Sequence, residues 1–326
     1  MNRFEYVRAR SAKEAAELLA GTKGALLKAS GTDLIDRMKS FIDTPPRVVS
    51  LSNADGMSDI STDGGGARIG ALVTLARLAE TLREGPLAAI GQAAGEAATP
   101  QIRNVATVGG NLCQRPRCWY YRLGEVPCLK KGGKDCPAIK GDNRYHAIFE
   151  TSPCPIVHPS NLGGPAVAFG ATIHVQGSKG IREIKAEEFF TLPKADIARE
   201  NVLERDDVIT AVSIPAWKGA RSAYLEGREK ESFDWSLVNA TAVLQLEGGV
   251  CREARIVLGS VAPIPWRVPA AEAALAGKKI DEAVAAEAAR KAFEGAKPLS
   301  GNAYKVPMGR AIVKRAILAA AGLWKE

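Results

Sequence analysis

The apolar positions of this chain fall in short runs whose period changes along its length. Residues 12–20 follow a helical spacing that ends at Gly21. Residues 25–29 read as a short buried strand, 34–39 as a helix and 47–51 as a strand. Asp63 and the three glycines after it read as a turn before a strand at 67–72. Thr74 caps a helix through Leu82. Pro86 opens another over 87–98, which Pro100 stops. Residues 165–175, 181–184 and 207–215 read as strands, with a helical turn at 186–190. The pattern changes near 216–221. Beyond it lie two long strand candidates, 235–246 and 253–261, and three helices, 269–276, 281–293 and 306–324. In the last of these Met308, Ala311, Ile312, Ile317 and Leu318 lie close to one face, as a core stripe does. No period repeats. The mixed order predicts an α+β fold in two domains, 1–216 and 217–326.

Between 104 and 161 the periodicity fails. A loop this long is functional, disordered or held by something other than its own core. Five of the six cysteines fall here. Cys118, Cys128, Cys136 and Cys154 are spread through a stretch rich in Gly, Pro and Lys, without a close Cys pair. Zinc modules depend on such pairs. A disulfide framework suits small secreted domains, and this chain of 326 residues is not small. A four-thiolate iron–sulfur cluster tolerates wide spacing. Spacing alone leaves an iron–sulfur cluster, zinc and unligated thiols open. Lys130, Lys131, Lys134, Arg117 and Arg122 would offset the charge of ligated thiolates. Cys113 reads as a buried turn thiol and Cys251 as an inert thiol at a strand edge.

The net charge of +8 comes from scattered Lys and Arg, without an aromatic-basic motif, so a solvated surface or an acidic protein partner explains it better than nucleic acid. No run of eighteen apolar residues predicts a membrane span. The N-terminus shows no export signal, which places the chain in the cytoplasm, or in the periplasm if a partner carries it there. His146 and His158 flank Cys154; His174 alternates within a strand. No Ser–His–Asp pattern, HExxH or informative carboxylate pair points to hydrolysis.

Two small-residue turns offer ligand sites. Lys28, Ala29, Ser30, Gly31, Thr32, Asp33 and Leu34 join a strand to a helix start, where glycine lets an anion approach free N–H groups. A structural turn capped by Thr32 or Asp33 explains the same residues. Thr107, Val108, Gly109, Gly110 and Asn111 suit a ligand or a hairpin turn equally.

Three motifs in order, residues 28–34, Asn104-Val-Ala-Thr-Val-Gly-Gly-Asn111 and His158-Pro-Ser-Asn161, resemble the flavin signature of the medium subunit of molybdenum hydroxylases, the xanthine dehydrogenase and aldehyde oxidoreductase family. Arg255-Ile-Val-Leu-Gly-Ser-Val-Ala-Pro-Ile-Pro-Trp-Arg267 resembles that family's C-terminal domain, so the resemblance spans nearly the whole chain. Arg117-Cys-Trp-Tyr-Tyr121, Pro127-Cys128, Asp135-Cys-Pro-Ala138 and Cys154-Pro-Ile-Val-His-Pro159 resemble a narrower branch, the FAD- and [4Fe–4S]-carrying subunits of bacterial periplasmic aldehyde oxidoreductases.

The resemblance implies a two-part FAD-binding domain of the vanillyl-alcohol-oxidase and CO-dehydrogenase flavoprotein type, with a cluster loop inserted at about 113–158. A C-terminal antiparallel sheet with helices completes it. It implies that residues 28–34 hold the FAD pyrophosphate, that Thr107, Gly110 and Asn111 line the flavin and ribityl chain, and that Ser160 and Asn161 hold the far side. Ile209 would pack near the isoalloxazine, and Cys118, Cys128, Cys136 and Cys154 would ligate the cluster. Two departures stand out. Asn161 replaces the family's usual Asp, and Glu226 stands where a Lys is usual, leaving Arg228 or Lys230 to supply a basic contact. The implied function is electron transfer. Electrons from a large molybdenum-cofactor subunit would pass through a small [2Fe–2S] subunit to FAD here, and on to an external acceptor. The rival reading is a metal-stapled scaffold that docks partners through its basic surface.

Overall fold

The structure is a computed structural model that describes residues 1–230 and 233–324. The chain begins with β1 (Glu5–Arg8), α1 (Ala12–Ala20), β2 (Leu26–Lys28), α2 (Leu34–Lys39) and β3 (Arg47–Ser50). The three strands form a parallel sheet in the order β1-β3-β2. Ser11 caps α1 by accepting from the Glu14 N–H, and Ala15, Ala16 and Leu19 turn inward.

A second sheet uses β4 (Ile60–Asp63) and β5 (Gly66–Gly70). They are joined by Gly64 and Gly65, both at positive φ as a tight hairpin requires. Then come α3 (Leu75–Thr81), α4 (Ala88–Glu96), α5 (Pro100–Arg103) and α6 (Val108–Leu112). The cysteine loop follows, with α7 (Trp119–Arg122) and two 3-10 turns, Leu129–Lys131 and Pro137–Ile139. Next are α8 (Gly163–Ala168), β6 (Thr172–Gly177), β7 (Gly180–Lys185), α9 (Ala186–Phe189) and β8 (Val208–Ile214). The second sheet closes antiparallel in the order β4-β5-β8-β6-β7.

The remainder is β9 (Ala220–Gly227), β10 (Val238–Glu247), β11 (Val250–Gly259), β12 (Trp266–Arg267), α10 (Pro269–Leu275), α11 (Glu282–Ala292) and α12 (Lys305–Ala320). Its sheet, β12-β11-β10-β9, is antiparallel throughout. Helices α10 and α12 pack against it, and α4 and α8 from the earlier part of the chain pack against it too. With both faces covered, the first seven residues of β10 are all buried, Asn239 and Thr241 included. In α12, Gly309 costs about 1 kcal/mol of helix propensity against alanine. A Cβ there would lie 2.1 Å from Phe293 Cζ, and burying that ring contributes about 1.5–3 kcal/mol, so the glycine is retained.

The fold is α+β, as the pattern predicts. Four local expectations differ. Residues 165–175 are not all strand: 163–168 form α8. There Gly163 and Gly164 let the backbone approach β10 and β11 so closely that a Cβ would meet Pro265 at 2.8 Å and Thr241 at 3.0 Å. Residues 107–111 form neither hairpin nor open loop but the first turn of α6. Ala311 is exposed, and Ile312, Val313, Ala316 and Ile317 carry the inner face of α12 instead. Cys251 is fully buried, because residues 277–280 cover that edge of β11 through hydrogen bonds with Cys251 and Gly249.

Candidate flavin and thiol site

The loop after β2 is built for close approach. Gly31 sits at φ +91°, and a Cβ there would lie 2.9 Å from Lys28 Cε and 3.0 Å from Ile35 Cγ1. Only glycine fits. Among the described residues, no protein group accepts from the N–H of Ser30, Gly31, Thr32 or Asp33. Four free donors in one turn form a cradle for an anion. Beside it lies a cavity of about 340 Å³. Ala29, Leu51, Gly109, Gly110, Arg115 and Ile209 line it. Two of the three sequence motifs and Ile209 therefore meet at one hollow.

Thr107 and Asn111 serve the protein itself. Thr107 Oγ1 caps α6 by accepting from Gly110 N at 3.2 Å. Asn111 Oδ1 accepts from Ser160 Oγ at 2.7 Å and from Leu162 N at 3.2 Å, and Ser160 Oγ accepts from Gly163 N at 3.0 Å. These bonds bolt the second motif to the third. Asn161 borders a separate cavity of about 170 Å³, with Glu96, Glu226 and Ser260. Its Nδ2 donates to Tyr224 Oη and to Glu226 Oε2, both at 3.1 Å. Burial pushes the Glu226 carboxyl up, against its Tyr224 and Arg228 contacts. Arg228 pairs with Glu226 and with Glu96, so the basic contact expected of it is already engaged.

Asp33 lies among guanidiniums. Its oxygens stand 2.8 Å from Arg117, 2.7 Å from Arg122 and 3.0 Å from Arg37, and it also accepts from Arg115 N at 3.1 Å. Burial acts to raise its pKa, but the arginines hold it below the usual carboxylate value. Arg117 and Arg122 were expected to balance thiolates. The structure gives them to Asp33 because its carboxylate is the fixed anion of that pocket. Lys131 points to the Leu123 carbonyl.

Of the cysteine-loop cations, Lys130 reaches the thiols. Its charge favours the Cys154 thiolate and disfavours a charged His158. Three of the four predicted ligands begin short helical turns: Cys118 before α7, Cys128 before Leu129–Lys131 and Cys136 before Pro137–Ile139. The first N–H groups of such turns lack helical partners and favour a thiolate at their start. Burial pushes Cys118 up to about 11, while the Tyr121 and Tyr120 N–H groups act the other way. Cys154 acts to hold the Cys136 thiol down and is itself pushed up in return. The charges of Cys136 and Cys128 also act on Cys118. His146 Nε2 lies 3.2 Å from Cys118 Sγ, a contact to one thiol and not to Cys154. Among the described residues, no three Cys, His, Asp or Glu side chains converge as one metal ion requires. A cluster asks for something different, because each thiolate binds its own iron around a cuboid. Cys113 stays outside the group, beside the flavin cavity, and burial pushes it up to about 12.

Sequence reasoning missed Glu200 and Tyr224. The partner of Glu200 lies 70 positions away, and although Tyr224 bonds Glu226 two residues on, its link to Asn161 spans 63.

The FAD binding domain in molybdopterin dehydrogenase matches residues 2–217, and the CO dehydrogenase flavoprotein C-terminal domain matches residues 222–320. The chain belongs to the FAD-binding medium subunits of the molybdenum hydroxylases, and is thus a subunit of an oxidoreductase. It is 36% identical to the aldehyde oxidoreductase FAD-binding subunit PaoB of Escherichia coli K12 over 281 residues, 84% of this chain and 86% of that protein. It is 27% identical to the carbon monoxide dehydrogenase medium chain of Hydrogenophaga pseudoflava over 325 residues, 98% of this chain and 97% of that one. Among solved structures, quinoline 2-oxidoreductase from Pseudomonas putida 86 aligns with a TM-score of 0.75 at 26% identity, over 99% of both chains. The Hydrogenophaga pseudoflava carbon monoxide dehydrogenase aligns at 0.77 and 26%, again over 99% of both.

Proposed function

We propose that this chain is the electron-transfer subunit of a molybdenum hydroxylase, carrying FAD in the cavity beside residues 28–34 and a [4Fe–4S] cluster on Cys118, Cys128, Cys136 and Cys154. When bound, the two groups supply the exchange of electrons. The chain's part is to hold them. The free N–H groups at Ser30–Asp33 receive the pyrophosphate, Gly110 lets the ligand pass close to the backbone, and Ile209 gives it an apolar wall. Ser160 braces Asn111 of the second motif from behind, while Asn161 faces the separate cavity it shares with Glu96 and Glu226. The single observation that carries the cluster is the placement of three of the four thiols at the starts of three short helical turns of one loop. A large molybdenum-cofactor subunit and a small [2Fe–2S] subunit complete the complex, as the relatives' names as medium chains suggest. The similarity to an aldehyde oxidoreductase subunit favours an aldehyde as the substrate of that complex.

The test is anaerobic addition of an aromatic aldehyde to the co-expressed complex while the visible spectrum is recorded. Bleaching of the flavin absorbance supports the reading. A flavin that dithionite bleaches and no aldehyde or N-heterocycle does would refute it.

A further inference from the structure

The segment between α9 and β8 has almost no ladder of its own, yet it closes one side of the flavin cavity. Residues 198–201 and 203–205 line that cavity. The segment is tied at one point to its own start, by the Phe190–Asn201 bridge and the Val202 N–H bond to Phe189 O. Thr191 N also donates to Glu200 O, and Val202 and Leu203 pack against the main core. Two cations of the cysteine loop add to that hold. Lys130 Nζ lies 2.6 Å from Glu200 Oε1 and 2.8 Å from Ile197 O. Arg115 Nε lies 2.5 Å from Glu200 Oε2, and its Nη2 donates to Ala198 O at 2.8 Å. The Lys130 and Glu200 side chains are 1% and 4% exposed, so neither charge has water to turn to. Lys130 stands two residues after Cys128 and also faces Cys154 and His158. One buried ammonium thus belongs to the thiol neighbourhood and to the wall of the flavin cavity.

We propose that Lys130 is a positioning residue through which the folded cysteine loop holds the 197–205 wall closed, so that tight FAD binding depends on that loop. The proposal rests on the assignment of this cavity to FAD. A cofactor's apparent affinity falls in proportion to the closed fraction, so a wall closed about one-tenth of the time binds about tenfold more weakly.

The experiment titrates FAD into the flavin-free full-length chain, followed by flavin fluorescence, for wild type, Glu200→Gln, Lys130→Met, Lys130→Arg and the double variant Lys130→Met/Glu200→Gln. Trypsin cleavage after Arg199 and Arg205 is followed in parallel. Glu200→Gln and Lys130→Met should each raise the FAD dissociation constant by about tenfold and speed cleavage at those two sites ahead of others. The double variant should be no worse than the worse single, and Lys130→Arg should retain most of the affinity. If Lys130→Met does not fold, Glu200→Gln carries the same prediction from the wall side. Wild-type affinity in Glu200→Gln, or losses that add in the double variant, would overturn the proposal. A wild-type chain that binds FAD equally well after its cavity is blocked by Gly110→Leu would instead remove the cavity assignment beneath it.

Discussion

Arg122 Nη2 stands 2.7 Å from Asp33 Oδ1 and joins positions 89 apart in the chain. The first lies within the cysteine loop and the second within the glycine turn after β2 proposed to hold the pyrophosphate. A carboxylate in a phosphate-binding turn repels its ligand unless it is neutralised, and three guanidiniums do that here. The same pairs lock the two segments together.

Removing the carboxylate leaves Arg117 without a carboxylate partner and leaves Arg37 and Arg122 with Asp43 and Asp36 alone. Asp33→Asn should destabilise the chain by about 2 kcal/mol, the cost of a broken buried pair discounted for partial exposure. Thermal melting reads this, and FAD affinity should fall with it. The pH dependence follows from sign. The folded carboxyl lies below its value of 3.8, so its contribution is present above that value and is lost as the pH falls below it. In the variant this acid loss should be smaller.

Gly31→Ala should cost about 1–2 kcal/mol, because its φ of +91° is unfavourable to any side chain. The new methyl also meets Lys28 and Ile35. FAD titration should show weakened binding, while the C-terminal helices keep their circular dichroism.

Cys136→Ser should lower bound iron and weaken FAD binding together, because the cysteine loop and the flavin cavity share Asp33 and Lys130. Iron analysis and flavin fluorescence on one sample decide it. Full flavin occupancy without iron would show that the loop keeps its shape unaided, and that a cluster there serves only to relay electrons.

The two departures from the family pattern touch each other: Asn161 donates to Glu226 at 3.1 Å. Asn161→Asp alone removes a donor and sets two carboxylates face to face, at about 1–3 kcal/mol. Adding Glu226→Lys should recover most of that loss. A double-mutant cycle in thermal melting measures the coupling.

The fold was legible where local chemistry and periodicity agree. Thr74 caps α3 where its position before an apolar run predicts, α11 falls within one residue of its expected bounds, and β10 and β11 form with ends shifted by one to three residues. The turn after β2 was legible as a glycine turn, and Gly31 there has a φ of +91°. Helix α8 was not, since Gly163 and Gly164 disfavour helix locally and only the approach to Pro265 and Thr241 explains them. The salt links of Asp33 and Glu200 were equally hidden. Their residue types are common on surfaces, and only the closed fold brings the charges together.

The central claim is that one chain holds FAD and an iron–sulfur cluster on four named thiols. Its most direct test is a visible spectrum of the anaerobically purified full-length chain, before and after dithionite, with iron, zinc and flavin measured on the same sample. The account predicts flavin bands over a broad iron–sulfur shoulder, both bleaching on reduction, with about four irons per flavin. Flavin with zinc or without metal would contradict the four-thiol assignment.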